Sequence, residues 1–242
     1  MNFSQRLTEG ILIRRYNRFL ADVRLQDGAI VTAHCPNSGS MMTCSEPGMP
    51  VYLSRHQSKT RRYPHTWEII DMHGTLVGIN TMIPNRIVRE AIEQERIPEL
   101  AGYTQLRREV PYGANSRIDI LLLDGDKRCY VEVKNVTLVV EDRCLFPDAV
   151  TTRGQKHLVE LGLAASHGHR AVMLYVVQRS DGSSFAPAEA IDGDYARLLR
   201  SAAAAGVEIL AYRADVTTEG ICLGSAVPVF LDVQNKMGEA AC

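Results

Sequence analysis

Long apolar runs are missing from the 242-residue chain. No stretch approaches the roughly 18 residues a membrane-spanning helix needs, so no membrane partner is expected. The opening segment is charged on both sides of a short apolar run and lacks the long apolar region and small-residue cleavage site of a secretion signal. CxxC pairs are missing too. Six cysteines stand scattered at 35, 44, 129, 144, 222 and 242, and a chain this long needs no covalent staples, so they read as the reduced thiols of a cytoplasmic protein. Net charge is nearly absent, at −1, so the chain as a whole does not announce a polyanionic partner. There is no Walker loop, GxSxG elbow or HExxH helix, and no helix-turn-helix signal. Internal repeats and flexible linkers are also lacking. What remains is an ordinary folded composition, 45% hydrophobic and 23% charged, long enough for one large or two small domains.

Residues 10–83 read as short strands broken by turns. GILIRRYNRFLADVRL, AIVTAHC, PVYLS, TWEIIDM and TLVGINTM carry β-branched and aromatic residues in partial alternation. Asp27-Gly28 and His73-Gly74 supply turns between them. Five or so strands in that length predict a small β-barrel or sandwich over 1–83. The pattern changes at Pro84. Ile87, Val88, Ala91 and Ile92 recur at helical spacing, then three strand candidates follow to about residue 140, with Asp124-Gly125-Asp126 as a hairpin turn. A helix over about 152–166 comes next, with Thr152 and Gln155 at capping-box spacing. AVMLYVVQ reads as a buried strand, DYARLLRSAAAAG as a helix ended by Gly206, and VEILAYRAD as the final strand. The order predicts an α/β (α+β) mixed-sheet domain over 84–242.

Charged residues are rarely buried without partners, yet Asp119 sits inside the apolar run SRIDILLL, and Glu132 and Lys134 inside YVEVKNV. Strand alternation puts Glu132 and Lys134 on one face, and the hairpin brings Asp119 toward them. Two carboxylates and a backbone carbonyl, that of Val133, would hold Mg²⁺ or Mn²⁺ for phosphodiester hydrolysis, with Lys134 orienting water or stabilising the charged phosphate. A Glu–Lys or Asp–Arg pair at a sheet edge gives the same pattern. The helix–three strands–helix–strand order favours chemistry, because those are the elements of the restriction-endonuclease-like PD-(D/E)xK core. On the preceding helix Glu90 and Glu93 are candidates for a further acid, with Glu90 preferred as a third metal-side group because apolar positions flank it.

Other features point to nucleic acid. Arg153, Lys156 and His157 cluster at a helix start, where free N–H groups and the dipole attract phosphate. Arg55, Lys59, Arg61 and Arg62 form an acid-free basic run beside Tyr63 and Trp67, suited to phosphates and stacked bases. HCPNSGSM at 34–41 reads as plain turn chemistry, with a Cys35 nucleophile disfavoured because His34 and Cys35 point to opposite faces of a strand.

These segments, RRYNRFLADV, VTAHCPNSGSM, YPHTWEII, SRIDILL, YVEVKNVTLV and FPDAVTTRGQKHLVEL, resemble the sugar fermentation stimulation protein A family over nearly the whole chain. The resemblance implies an oligonucleotide-binding (OB)-like barrel joined to a PD-(D/E)xK nuclease-like domain, DNA as partner, and Asp119, Glu132 and Lys134 on the nuclease-like motif. A RecB-like variant of that motif adds Gln followed four residues later by Tyr; here Gln155 is followed by Val159, so its second half is missing. The resulting expectation is a DNA-binding protein with a Mg²⁺-dependent nuclease site. The alternatives are a non-catalytic regulator of sugar (maltose) metabolism and a phosphohydrolase of small nucleotides. A homodimer is plausible on general grounds.

Overall fold

A computed structural model describes residues 1–57, 61–113 and 116–232. The first unit is β1 (Thr8–Tyr16), β2 (Leu20–Leu25), β3 (Ile30–His34), β4 (Pro50–Arg55), β5 (His65–Met72) and β6 (Thr75–Gly78). They hydrogen-bond in the order β3-β2-β1-β4-β5-β6, and β3 also pairs in parallel with β5 through Ala33↔His65 and His34↔Thr66. That extra pairing closes β1–β5 into a five-stranded barrel. Register shifts at Leu12/Arg14 and Tyr52/Leu53 supply the local bending that closure requires. The β5–β6 hairpin turns at His73 and Gly74, both with positive φ (56° and 94°), as a two-residue primed turn demands. The barrel core is Leu12, Val23, Ala33, Val51, Leu53, Trp67, Ile70 and Val77.

The second unit begins with α1 (Ile83–Glu93), which carries Pro84 in its first turn, where a missing N–H costs nothing. A hairpin array follows: β7 (Gln105–Tyr112), β8 (Ser116–Asp124) and β9 (Lys127–Val136). Then come β10 (Leu138–Val140), β11 (Arg143–Phe146), α2 (Thr152–Ser166), β12 (Arg170–Val177), β13 (Ser184–Pro187), α3 (Gly193–Ala204), β14 (Glu208–Val216) and β15 (Ile221–Ala226). The main sheet runs β15-β14-β12-β9-β8-β7, with β9, β12 and β14 mutually parallel and the rest antiparallel. Ile83, Ile87, Val88 and Ala91 of α1 cover one face, against Ile120, Leu122, Val131, Val133 and Leu174. Leu158 and Leu161 of α2 and Tyr195 and Leu199 of α3 cover the other, against Leu121, Met173 and Tyr175. Each such buried aliphatic contributes on the order of 1.5–3 kcal/mol.

Three expectations are corrected here. The cap of α2 is Thr151, whose side chain accepts from the Gly154 N–H, not Thr152; Gln155 instead donates to Asp192, the cap of α3, and so ties the two helices together. The chain has a further strand, β15, after the one expected to be last. A small third sheet, β10-β11-β13, was not anticipated, because its strands are only three or four residues long.

The barrel is seated on the second unit by polar contacts. The Gly78 N–H donates to the Gln178 carbonyl, the Met41 N–H to Asp148 Oδ2 at 3.0 Å, and buried Arg179 to Thr43 and the Thr137 carbonyl. A Cβ on Gly39 would collide with the Asp148 carboxylate, so glycine is what lets the 34–41 loop approach that closely. The loop read as a plain turn is therefore a docking element.

Candidate catalytic site

The site forms where β8 and β9 part. Their pairing runs from Asp124↔Lys127 to Ile120↔Val131 and stops there, although β9 continues to Val136 alongside β12. Asp119 lies just beyond the last pair. Its Oδ2 accepts the Val133 N–H at 2.8 Å and its Oδ1 accepts from Asn85 Nδ2 of α1 at 2.7 Å. Backbone that would have bonded strand to strand is thus bonded by a carboxylate.

Glu132 is 2% exposed. Its Oε1 is shared by Lys134 Nζ at 2.7 Å and His157 Nδ1, and Lys134 Nζ also lies 3.1 Å from His157 Nδ1. Its Oε2 is buried with no hydrogen-bond partner. The two carboxyls are driven apart electrostatically. Burial, then the Glu132 charge, push Asp119 up to about 6 against the opposing Val133 N–H, Lys134 and Asn85. Burial also works against Glu132, but the hydrogen bonds and charges of His157 and Lys134 overcome it and hold that carboxyl below the usual range. Tyr112 at the end of β7 brings a buried hydroxyl without a hydrogen-bond partner, kept protonated by burial and by the charges of Glu132, Glu160 and Asp119.

The donor set fits a small hard cation. A buried carboxylate oxygen without a partner, a second carboxylate burdened by its neighbour's charge and the backbone carbonyl of Val133, next to Glu132 in sequence, are oxygen donors of the kind Mg²⁺ or Ca²⁺ uses. Among the described residues no group of three or more His, Cys, Asp or Glu side chains is arranged for a metal, so a cation here would rest on the two carboxylates with backbone and water oxygens.

Asp119, Glu132 and Lys134 are thus brought together. Glu90 is not: its carboxylate pairs with the N-terminal amine at 2.9 Å and with Arg86, while Glu93 pairs with Arg89. From α1 it is Asn85 that reaches Asp119, so the expected third acid is an amide. His157 is 4% exposed and belongs to the carboxylate cluster rather than to a phosphate-binding surface. Its signal was helical phase: Gly154, His157, Leu158, Leu161 and Ala164 share the buried stripe of α2. No periodic signal marks Asn85.

Arg153 is exposed on the first turn of α2, its Nε 3.5 Å from His157 Nε2, and Lys156 pairs with Glu160 at 3.6 Å. Arg55, Arg61 and Arg62 are exposed around the β4–β5 connection, with the Arg62 guanidinium 5.3 Å from the Tyr63 ring centroid. Lys59 lies outside the described residues. Trp67 is fully buried, its indole N–H donating to the Ile69 carbonyl, so it is core and not a stacking ring. Cys35 is buried, and burial pushes its thiol up, away from nucleophile chemistry. The five described cysteines are free, and no described helix is long and apolar enough to cross a membrane.

Fold and site define a two-domain protein: a closed five-stranded OB barrel followed by a mixed-sheet domain with a carboxylate–lysine cluster at a strand divergence. Family comparison agrees, unit by unit. Residues 13–79 match the SfsA N-terminal OB domain, and residues 82–220 match the sugar fermentation stimulation protein RE domain. The chain belongs to the sugar fermentation stimulation protein family. A homolog from Citrifermentans bemidjiense is 59% identical over 231 residues, covering 96% of this chain and 100% of that protein. One from Geobacter sulfurreducens is 60% identical over 223 residues, covering 92% and 96%. Among solved structures, Pyrococcus furiosus SfsA in complex with Ca²⁺ is 30% identical with a TM-score of 0.86, covering 95% of this chain and 98% of that one.

Proposed function

We propose that the protein binds DNA and hydrolyses its phosphodiester backbone at Asp119 and Glu132 with Mg²⁺ or Mn²⁺. The observation that carries this reading is the pair of carboxylates gathered at the divergence of β8 and β9, with Glu132 Oε2 buried and without a hydrogen-bond partner beside Lys134. The Ca²⁺ complex of the Pyrococcus furiosus relative supports a divalent cation in this family. Asp119, Glu132 and the Val133 carbonyl would hold it, and a cation so held polarises a phosphoryl oxygen and acidifies bound water.

The chain's own residues do the rest. Asn85 and the Val133 N–H fix Asp119, and His157 fixes Glu132, so neither carboxylate has to reorganise when substrate arrives. The Lys134 ammonium meets the charge that develops on the phosphate. Arg153 and Lys156 flank the helix start beside the site, and Arg55, Arg61, Arg62 and Tyr63 give the barrel a surface for backbone and exposed bases.

The test is incubation of the protein with labelled single-stranded, duplex and flapped DNA, with and without Mg²⁺ or Mn²⁺. Metal-dependent cutting is expected, lost in Glu132→Ala and Lys134→Ala, both of which keep salt-sensitive binding. Binding without cutting under any metal would replace this reading with the non-catalytic regulator. Turnover of small nucleotides without retention on DNA would replace it with a phosphohydrolase.

A further inference from the structure

A cleft of about 480 Å³ lies between barrel and sheet domain. Its barrel wall is the 37–40 loop with Arg15 and Arg18; its other wall is the 145–151 segment that leads into α2, together with Asn135 and Thr137. Asn135 follows Lys134 on β9, on the other face of that strand, and Thr151 caps the helix that carries His157, so the cleft shares a strand and a helix start with the carboxylate cluster, whose own side chains are not in its wall. Thr81, also in its wall, stands four residues before Asn85.

We propose that this cleft receives the unpaired end of a DNA substrate, one strand passing from the carboxylate site toward the barrel. The inference rests on the DNA reading above and names the part of the substrate that the second site takes. The volume is that of a small-molecule site, which suits a single strand better than a duplex. The cleft is built rather than incidental. The Arg15 guanidinium donates to the carbonyls of Asn37, Gly39 and Ser40 and so fixes one wall, while Asp148 accepts the Met41 N–H and clasps the two walls together.

Its chemistry suits a strand. Arg15 and Arg18 line its barrel wall with positive charge, which the backbone of a strand would meet. Arg18 is exposed at the β1–β2 turn, and the next residue, Phe19, is a half-exposed ring (52%) at the place where OB barrels offer a stacking surface. Val150, 69% exposed on the opposite wall, presents an apolar surface to the cleft.

The test is fluorescence anisotropy in Ca²⁺ with a labelled blunt duplex and the same duplex extended by about four unpaired nucleotides, a length matched to one stacking platform. Wild type is expected to bind the extended duplex about tenfold more tightly, the worth of one stacked base. Arg18→Glu and Val150→Glu should each erase that preference, and their blunt-duplex affinities should fall no further than that of Arg197→Glu, a charge reversal on α3 outside the cleft. Equal affinity of wild type for both duplexes, or a preference that survives both variants, overturns the proposal. If Mg²⁺-dependent cutting is present without the preference, the cleft fails and the nuclease reading stands. If the preference is present and Glu132→Ala changes no cleavage, the cleft stands and the nuclease reading fails.

Discussion

Asp119→Asn tests the carboxylate pair without needing a substrate. Burial and the neighbouring Glu132 raise the Asp119 carboxyl from an ordinary 3.8 to about 6. A folded state that binds this proton more tightly than the unfolded state loses stability as pH rises between those values and carries the full penalty above the higher one. Holding Asp119 ionised at pH 8 therefore costs on the order of 3 kcal/mol. Asparagine removes the charge and can keep the geometry: its carbonyl accepts the Val133 N–H, and its NH₂ donates to Asn85 once that amide has flipped. Some of the gain is lost to weaker neutral hydrogen bonds, so the metal-free variant should be more stable than wild type by about 1–3 kcal/mol at pH 8. For a protein of this size that is roughly 3–10 °C in Tm. The advantage should nearly vanish by about pH 3.5, below both values, where wild-type Asp119 is mostly protonated in both states. Glu132, held low by His157 and Lys134, works in the opposite sense in both proteins, and losing the Asp119 charge can only ease its ionisation further. Divalent cation should reverse the order. Wild type gains about 2.7 kcal/mol at a hundredfold excess over Kd, while the variant gains little. Thermal melts across pH, with and without Ca²⁺ or Mn²⁺, decide the matter. A variant less stable than wild type at pH 8, or one that gains as much from metal, refutes the reasoning.

Gly39→Ala should destabilise the protein by about 1–3 kcal/mol, because the new methyl meets the Asp148 carboxylate and overpacks the joint; an unchanged denaturation midpoint would show that the loop is not clasped. Trp67 is the sole tryptophan and fully buried, so native emission should be blue-shifted and Trp67→Ala should cost about 3–5 kcal/mol, read by chemical denaturation. If Arg55, Arg61, Arg62 and Arg153 each neutralise one phosphate, the logarithm of DNA affinity should fall against that of salt with a slope of about −4, and Arg61→Ala with Arg62→Ala together should reduce it by about 2. A flat salt response would count against a phosphate-reading surface.

Much of this architecture was legible because hydrophobic period and turn chemistry agree along the chain. The α2 helix falls over 152–166 as its apolar spacing requires, and the Asp124–Asp126 turn joins the strands it was expected to join. What escaped depends on tertiary placement. The choice between Glu90 and Asn85 is a matter of which side of α1 meets β8, and two polar positions flanking one apolar stripe carry no mark of that. Barrel closure rests on the β3–β5 pairing, between strands separated by some thirty residues, which no local pattern records. The most consequential concealment lies at Asp119 itself. Ile118, Ile120 and Leu122 alternate as if they shared one face, yet Ile118 packs against the α2 side of the sheet and Ile120 and Leu122 against the α1 side. The phase slips between residues 118 and 120, where Asp119 and the facing Glu109 drop out of the β7–β8 ladder and Glu109 takes a positive φ of 51°. Because both faces of the sheet are buried, isoleucine suits either side and the slip leaves no trace in hydrophobicity. At the same point β8 leaves β9, and the Asp119 carboxylate accepts the Val133 N–H. The irregularity at the candidate site is therefore the one that a doubly buried strand hides most completely.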